Sequence, residues 1–272
     1  MRIVPISTPL ANRSIISVIQ SKYALPKNTG YIPSHHIGHP TIAATAPSDT
    51  LYVAPIDGLP IFMQGTRPTC VSHGAAWAKI QYDLKHTGEF KTLSRRFLHA
   101  LSKQPGQVPG DGRSIESVLA VAEYYGIPEE QYFPEDDSLS DAEYEDVSKI
   151  PPEAYQNASQ HRIGSHAYLT DLSLQGIYNG VLAHDIVIIG MDISSAWWTD
   201  VDGNVTWEAD KILPLRPGYD GSRHCIDIYA ANTGQSLGAI CNWWSDQWGV
   251  KGTGFFETND LPYIYEAAVI LS

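Results

Sequence analysis

The chain is poor in cysteine and in positive charge. It has three cysteines among 272 residues, and so small and odd a number does not build a disulfide framework. We therefore expect a reducing compartment. The chain has 18 Lys and Arg against 30 Asp and Glu, which gives a formal net charge of −12. A protein that follows nucleic-acid phosphates needs a basic stripe, so this balance argues against a nucleic-acid partner.

Long apolar runs are also missing. No apolar stretch reaches the roughly 20 residues that a helix needs to cross a bilayer. The first residues, MRIVPISTPLANRSIIS, contain one early Arg but no unbroken apolar core followed by a small-residue cleavage site. We therefore expect no signal peptide and no membrane partner. A cytoplasmic-type compartment agrees with this expectation and with the low cysteine content.

The composition changes near residue 50. Residues 1–50 are rich in Pro, Ser, Thr and His and show weak periodicity, which predicts an N-terminal extension that acts as an arm, a propeptide-like segment or a docking segment. The piece 14–25 favours a short helix. The stretch 34–40, SHHIGHP, has no Cys or carboxylate at ligand spacing beside it. We expect a surface loop there and no metal site.

The remaining residues, 51–272, divide into a helical part and a strand-rich part. Apolar residues at helical steps predict helices after Cys70, after Ser94 and near Ser114 in the first part, about residues 60–150. The second part, about residues 160–272, carries a helical pattern at 174–182, strand patterns at 185–193, 224–231 and 237–244, and a hairpin pattern at 198–207. This order predicts an α+β architecture in two lobes. The acidic run between the parts, 134–146, is predicted to be a solvated loop.

Cys70 opens the first predicted helix, where the helix N-terminus lowers the pKa of a thiol. A thiol that performs acyl transfer also needs a base, a group that orients the base, and donors for the oxyanion. His224 starts one predicted strand, Asn242 lies in the next, and Gln64 lies six residues before Cys70. The alternatives are a packed thiol, a core histidine and an ordinary loop glutamine.

The two predicted strands also constrain the other cysteines. A hairpin in which residue 224 faces residue 242 places both side chains on one face of the sheet, close enough to bond. The same register places Cys225 beside Cys241 on the opposite face. We expect these two thiols to be buried and reduced, with a cross-strand disulfide as the alternative.

The types and spacing of these residues resemble those of the papain-like cysteine peptidases. That family has a Gln six residues before its nucleophile and a His that starts a strand, as at Gln64, Cys70 and His224. Asn242 is followed by Trp two and six residues further on and then by Gly, in NWWSDQWGVKGTGFF. The order Cys, His, Asn also agrees with the family, and the resemblance covers about residues 51–272.

The resemblance implies a papain-like fold with a helical lobe, an antiparallel β-sheet or barrel lobe, and a cleft between them. It implies a thiol peptidase that hydrolyses peptide bonds of a protein or peptide substrate without a cofactor or metal. Cys70 would be the nucleophile, with His224 as its acid–base partner. Asn242 would orient the imidazole, and Gln64 would form the oxyanion hole with the Cys70 N–H.

Further positions follow from the same resemblance. Trp244 would shield the bond between the histidine and the asparagine from water, with Trp248 in support. Residues 110–135 resemble the family's Gly-containing turn, helix and Tyr-Pro loop. This turn supplies the candidates for the substrate cleft, Gly110, Asp111 and Gly112.

The residues around Cys70 depart from the family pattern. The family signature is Cys-Gly-Ser-Cys-Trp or close to it, whereas residues 67–71 read RPTCV. The missing upstream Cys removes the usual disulfides and indicates a divergent, disulfide-free member with an open subsite preference. Two other functions remain as alternatives: a catalytically silent structural or binding protein, and a thiol amidase acting on a non-protein, cell-wall type substrate.

Overall fold

The structure, a computed structural model, describes residues 31–32, 41–42, 52–53, 59–193, 197, 222–234, 236–249 and 251–271. Three of the predicted features lie outside these residues. They are the helix at 14–25, the loop at 34–40 and the hairpin at 198–207.

The first lobe is helical in the described part of the chain. Its helices are α1 (Cys70–Thr87), α2 (Arg95–Leu101), α3 (Ile115–Tyr124), α4 (Asp141–Tyr144) and α5 (Pro152–Ala158). Ser94 and Ser114 cap α2 and α3 by accepting a backbone N–H from the first turn, which satisfies donors that a helix start leaves unpaired. Gly88 ends α1 with a φ of 74°, a conformation that glycine adopts without a steric cost. Among the described residues no helix is both long and apolar enough for a membrane span.

The second lobe is a sheet with one helix packed against it. Its elements are β1 (Thr41–Ile42), β2 (Tyr52–Val53), β3 (Ser165–Leu169), α6 (Leu174–His184), β4 (Val187–Ile193), β5 (Ser222–Asn232), β6 (Leu237–Cys241), β7 (Thr253–Glu257) and β8 (Ile264–Leu271). The strand order is β1-β3-β8-β4-β5-β6-β7, and β2 pairs with β5. The pairs are antiparallel except β1 with β3. Helices followed by an antiparallel sheet confirm the predicted α+β class.

Each face of the sheet has its own apolar layer, because successive side chains of a strand point to opposite faces. On one face, Ile188 and Cys225 belong to a core that includes Trp77 of α1. On the other face, Ile189 packs in a core with Ile177 of α6. Helix α1 thus lies between the sheet and the helices α2 and α3.

The register of the hairpin formed by β5 and β6 differs from the predicted one. Cys241 pairs with Asp227, so the carboxylate takes the position predicted for Cys225. The pairing is irregular between Ile228 and Ala230, and strand patterns do not reveal a bulge of this kind. The difference from the predicted pairing is therefore two residues at Asp227 and three residues at Ala230, which pairs with Ala239. Cys225 and Cys241 nevertheless lie in the same core, on the one face that was predicted for both.

The acidic run at 134–146 is in large part the solvated loop that was predicted, since residues 134–140 have no helix or strand and are mostly exposed. Near its end the run departs from the prediction, because it forms α4 and buries Glu145, whose side chain is only 3% exposed. The Glu145 carboxylate lies 3.0 Å from Arg113 Nη2 and 2.9 Å from Lys103 Nζ. These basic side chains of the helical lobe neutralise Glu145, because a buried carboxylate needs such partners.

The described residues of the N-terminal extension pair with both lobes. Ile32 donates its N–H to the carbonyl of Arg113 over 2.9 Å, at the start of α3. Strand β1 lies beside β3, and β2, just beyond the predicted boundary at residue 50, lies beside β5. The boundary itself stays a prediction.

Candidate active site

Cys70 is the first residue of α1 and has no exposed surface. Burial raises the pKa of its thiol to about 12, and the nearby backbone N–H groups of Cys225 and Val71 lower it only in part. The thiol is therefore neutral at physiological pH in this arrangement. The contact with the Cys225 backbone holds the start of α1 against β5.

His224 lies in β5, next to Cys225, and is fully buried. Its Nε2 lies 2.7 Å from Asn242 Oδ1, and its ring stacks on Trp244 with 4.9 Å between centroids. Its Nδ1 has no hydrogen-bond partner among the described residues. Burial lowers the pKa of the imidazole to about 4, while the bond to Asn242 raises it and the nearby His73 lowers it.

The contacts of Asn242 determine which imidazole nitrogen carries the proton. Asn242 Oδ1 also accepts the backbone N–H of Trp243 over 2.8 Å, so this atom is the amide oxygen. An oxygen only accepts, so Nε2 of the neutral His224 donates to it and carries the proton. Nδ1 then keeps its lone pair and is the atom able to take a proton.

A cluster of tryptophans lies around this pair. Trp248 meets Trp244 edge to face at 5.9 Å and donates its Nε1–H to the Trp197 carbonyl over 3.0 Å. Trp243 donates its Nε1–H to the Cys225 carbonyl over 3.1 Å and lies 5.7 Å from the Trp77 ring of α1. Sequence reasoning missed Trp243, although its position next to Asn242 was a signal. Together the rings exclude water around the histidine.

Gln64 is almost fully buried beside the loop that precedes α1. Its backbone N–H bonds to the Trp243 carbonyl over 2.8 Å, and its Nε2 donates to the Arg67 carbonyl over 2.9 Å. An amide nitrogen has two hydrogens, so one more remains to donate. Its role as an oxyanion donor stays a prediction.

The cleft candidates lie in the turn before α3, on the helical lobe. Gly110 donates its N–H to Glu145 over 2.8 Å. The carbonyls of Asp111 and Gly112 accept from the Arg113 guanidinium over 2.6 and 3.2 Å. Arg113 is the residue whose carbonyl binds Ile32 of the extension. The turn is thus bonded to a segment of chain that reaches it from outside the domain.

The remaining cysteines are packed in the core, as predicted, and none of the three forms a disulfide. Between them lies Asp227, which sequence reasoning missed. Its side chain is buried, and its oxygens have no hydrogen-bond partner among the described residues. Burial raises the pKa of this carboxyl well above its usual range and so favours its protonated form. The described residues contain no group of three or more His, Cys, Asp or Glu that could hold a metal ion.

Comparisons with known proteins identify the fold. No protein-family model matches the chain, and no curated protein matches it by sequence. Among solved structures, xylellain, a cysteine protease from Xylella fastidiosa, is similar with a TM-score of 0.76 and 16% identity over 91% of this chain and 97% of that one. Digestive procathepsin L 3 of the Tenebrio molitor larval midgut has a TM-score of 0.71 and 14% identity over 94% of this chain and 79% of that one.

A third solved structure has a similar fold. The Carica candamarcensis cysteine protease CMS1MS2, solved in complex with E-64, has a TM-score of 0.60 and 15% identity over 84% of this chain and 99% of that one. At these identities the likeness concerns the backbone arrangement. The helical lobe packed on an antiparallel sheet, with α1 between them, is therefore the fold of the papain-like cysteine proteases.

Proposed function

We propose that this chain is a thiol peptidase in which Cys70, His224 and Asn242 act together and Gln64 serves the oxyanion. The observation that supports the proposal most directly is the 2.7 Å bond between His224 and Asn242. It leaves the other imidazole nitrogen to serve a thiol that begins a helix on the neighbouring element. The similarity to proteins described as cysteine proteases supports a peptide substrate.

Acylation uses these groups in sequence. His224 Nδ1 takes the thiol proton, and the Cys70 sulfur attacks the carbonyl carbon of the peptide bond. The electron pair moves onto the carbonyl oxygen, which Gln64 and the Cys70 N–H stabilise. When the intermediate collapses, the C–N bond breaks, and the imidazolium gives its proton to the leaving amine. The product is a thioester at Cys70.

Deacylation reverses these roles with water. His224 Nδ1 takes a proton from water, and the oxygen attacks the thioester carbonyl. Collapse breaks the C–S bond and releases the acid, and the imidazolium returns its proton to the sulfur. Asn242 holds the imidazole through both steps, and Trp244 keeps water from competing for the bond between them.

The burial of Cys70 favours one alternative, a catalytically silent protein. A neutral thiol with a pKa of about 12 and no exposed surface does not meet a substrate. The silent protein requires that the cleft over Cys70 stays closed, whereas the thiol peptidase requires that the cleft opens to admit a peptide.

Hydrolysis of a peptide library by the full chain separates the two functions. We expect Cys70→Ala to lower kcat/KM by about 10⁴-fold or more, as loss of a nucleophile does in enzymes of this kind. Cys241→Ala is the matched control, because it removes a buried thiol of the sheet lobe and should retain activity. No cleavage by the wild type, or equal cleavage by Cys70→Ala, would overturn the proposal.

Thiol labelling gives a second measurement of the nucleophile. Iodoacetamide should alkylate Cys70 faster than Cys225 or Cys241, measured by mass spectrometry of tryptic peptides, because only Cys70 has an acid–base partner within the site. Equal rates at the three cysteines would show that Cys70 is a packed thiol.

A further inference from the structure

Residues Tyr31 and Ile32 of the extension bind the helical lobe through main-chain contacts to Arg113. The Ile32 N–H donates to the Arg113 carbonyl over 2.9 Å, and Tyr31 forms a parallel bridge with Arg113. Arg113 directly follows the turn that carries the cleft candidates. Main-chain bonds of this kind are how an extended peptide attaches to a free edge.

The Tyr31 side chain enters the sheet lobe. It is 2% exposed, and its hydroxyl donates to a carboxylate oxygen of Glu266 in β8. Its ring lies against Gly190 of β4, where an added Cβ would overlap the ring. Glycine at this position therefore provides space for the hydroxyl end of the ring, and Glu266, which pairs with Gly190 across β4 and β8, lies at that same end.

This pocket adjoins the proposed catalytic residues. Gly190 pairs with Cys225, and the next pair in the same register is Met191 with His224. The Cys225 backbone N–H in turn approaches the Cys70 thiol. The tyrosine thus touches the sheet lobe one residue pair from the histidine, while its backbone is bonded to the helical lobe. A segment with both contacts lies in the cleft between the lobes.

We propose that Tyr31 is an internal ligand of a side-chain pocket that in a substrate complex receives a tyrosine of the peptide, and that Glu266 makes this pocket selective for tyrosine over phenylalanine. The inference rests on the proposed function, because it names the substrate class of the same cleft. A phenylalanine ring fills the same space but leaves the buried carboxylate without the phenol donor. A hydrogen bond to a charged group contributes about 1.5–3 kcal/mol, which corresponds to a preference of roughly 10- to 100-fold.

The alternative is that Tyr31 is a permanent part of the core. In that case the pocket never opens, and no peptide competes for it. The two cases differ in whether a peptide binds when Tyr31 is shortened, and in whether binding depends on the peptide hydroxyl.

The binding test uses the full chain with Cys70→Ala and Tyr31→Ala, so that the pocket is empty and no cleavage occurs. The probes are the hexapeptide TGYIPS, which matches residues 29–34, and its analogue TGFIPS. We expect TGYIPS to bind about 10- to 100-fold more tightly by calorimetry, which is the effect of one charged hydrogen bond. Adding Glu266→Gln should reduce the difference to a few-fold, whereas the control Glu153→Gln, on the exposed surface of α5, should leave it unchanged. Equal affinities for the two peptides would overturn the proposal.

A cleavage test separates this inference from the proposed function. With Cys70 intact, Tyr31→Ala should raise kcat/KM for tyrosine peptides over the wild type, and Tyr31→Phe should raise it less, because the ring still fills the pocket. If Tyr31→Ala does not fold, Tyr31→Phe still tests the pocket, because it retains the packed ring and loses only the hydroxyl. Cleavage without a preference for tyrosine would overturn only the pocket. Selective binding of TGYIPS without any cleavage would overturn only the peptidase.

Discussion

The protonation state of His224 follows from one neighbouring residue. Asn242 accepts from the Trp243 N–H and from His224 Nε2, which leaves Nδ1 as the base. The same bond raises the pKa of His224 against the larger effect of burial, which lowers it. Asn242 thus orients the imidazole and also favours its protonated form.

We expect Asn242→Ala to lower kcat/KM by about 10- to 100-fold, the effect of losing one hydrogen bond of 1.5–3 kcal/mol to a group that becomes charged. The reaction begins with neutral His224 as the base, so kcat/KM falls at low pH, where the imidazole of the free enzyme takes up a proton. The bond to Asn242 raises the pKa of His224, so without Asn242 this pKa falls, and the acidic limb of the kcat/KM profile should move to lower pH.

The exposed Asn259, in the turn after β7, offers the control Asn259→Ala, which should leave the profile unchanged. An Asn242→Ala profile that drops uniformly, with its acidic limb at the wild-type position, would contradict the orienting role of Asn242 and indicate a structural one.

At the scale of elements, the start of α1 is tied to the acidic segment through Arg67. Its guanidinium lies 3.3 Å from Asp137 and 3.5 Å from Asp141, donates to the Leu139 carbonyl, and stacks on the Tyr144 ring at 4.5 Å. The chain has no disulfide to hold this loop. We therefore expect Arg67 to position Cys70, the proposed nucleophile.

These contacts differ in strength because they differ in exposure. The side chain of Asp137 is 83% exposed and that of Arg67 only 10%. An exposed ion pair contributes about 0–1 kcal/mol to stability. Loss of the contacts that the buried guanidinium makes with a backbone carbonyl and an aromatic ring should lower the stability by more than that. The backbone and aromatic contacts of Arg67 should therefore dominate its effect.

We expect Arg67→Ala to lower kcat about tenfold, since a misplaced catalytic group can cost up to about 100-fold, with little change in KM. Asp137→Asn should lower kcat by no more than about threefold, because a screened ion pair contributes about 1 kcal/mol or less. Asp136→Asn is the control, since that carboxylate bonds to Ser138. Equal losses for Arg67→Ala and Asp137→Asn would show that the ion pair, and not the buried contacts, positions the loop.

At the scale of the whole molecule, buried ionisable groups set the pH range of stability. Burial lowers the pKa of His73 to about 3 and those of His99 and His224 to about 4. Below their unfolded pKa of about 6.5, the unfolded chain binds protons that the folded chain does not. Asp227 acts in the opposite direction, because its folded pKa is raised. Its contribution to stability falls as the pH rises above the unfolded value.

We therefore expect the free energy of unfolding to be highest near neutral pH. As the pH falls from 6.5 to 4, each of the three histidines lowers the free energy of unfolding by up to about 1.4 kcal/mol per pH unit. Over the same range Asp227 raises the free energy of unfolding by at most the same amount per pH unit, which offsets the effect of one histidine. Denaturant unfolding between pH 4 and 9 measures this curve. Asp227→Asn should stabilise the protein more at pH 8 than at pH 5, and stability that increases as the pH falls from 6.5 to 5 would contradict the assignment.

Local signals made much of the fold predictable. Serines that cap α2 and α3, the glycine that ends α1, and the strand periodicity of β4 and β5 act over a few residues, so they are readable in the sequence. The spacing of Gln64, Cys70 and Asn242 also lies in the sequence. The predicted register of β5 against β6 was wrong, by two residues at Asp227 and by three at Ala230, because strand patterns do not reveal irregular pairing within a hairpin.

The sequence by itself determined the helices α1, α2, α3 and α6, the strands β4, β5 and β6, their order, and the set of residues proposed to act on a peptide bond. Only the tertiary structure decided that Glu145 is buried against Arg113, that Asp227 has no hydrogen-bond partner among the described residues, and that Tyr31 reaches Glu266, 235 residues away. No local propensity encodes such contacts, because they exist only after folding has brought distant segments into one core and the burial of each polar group has selected its partner.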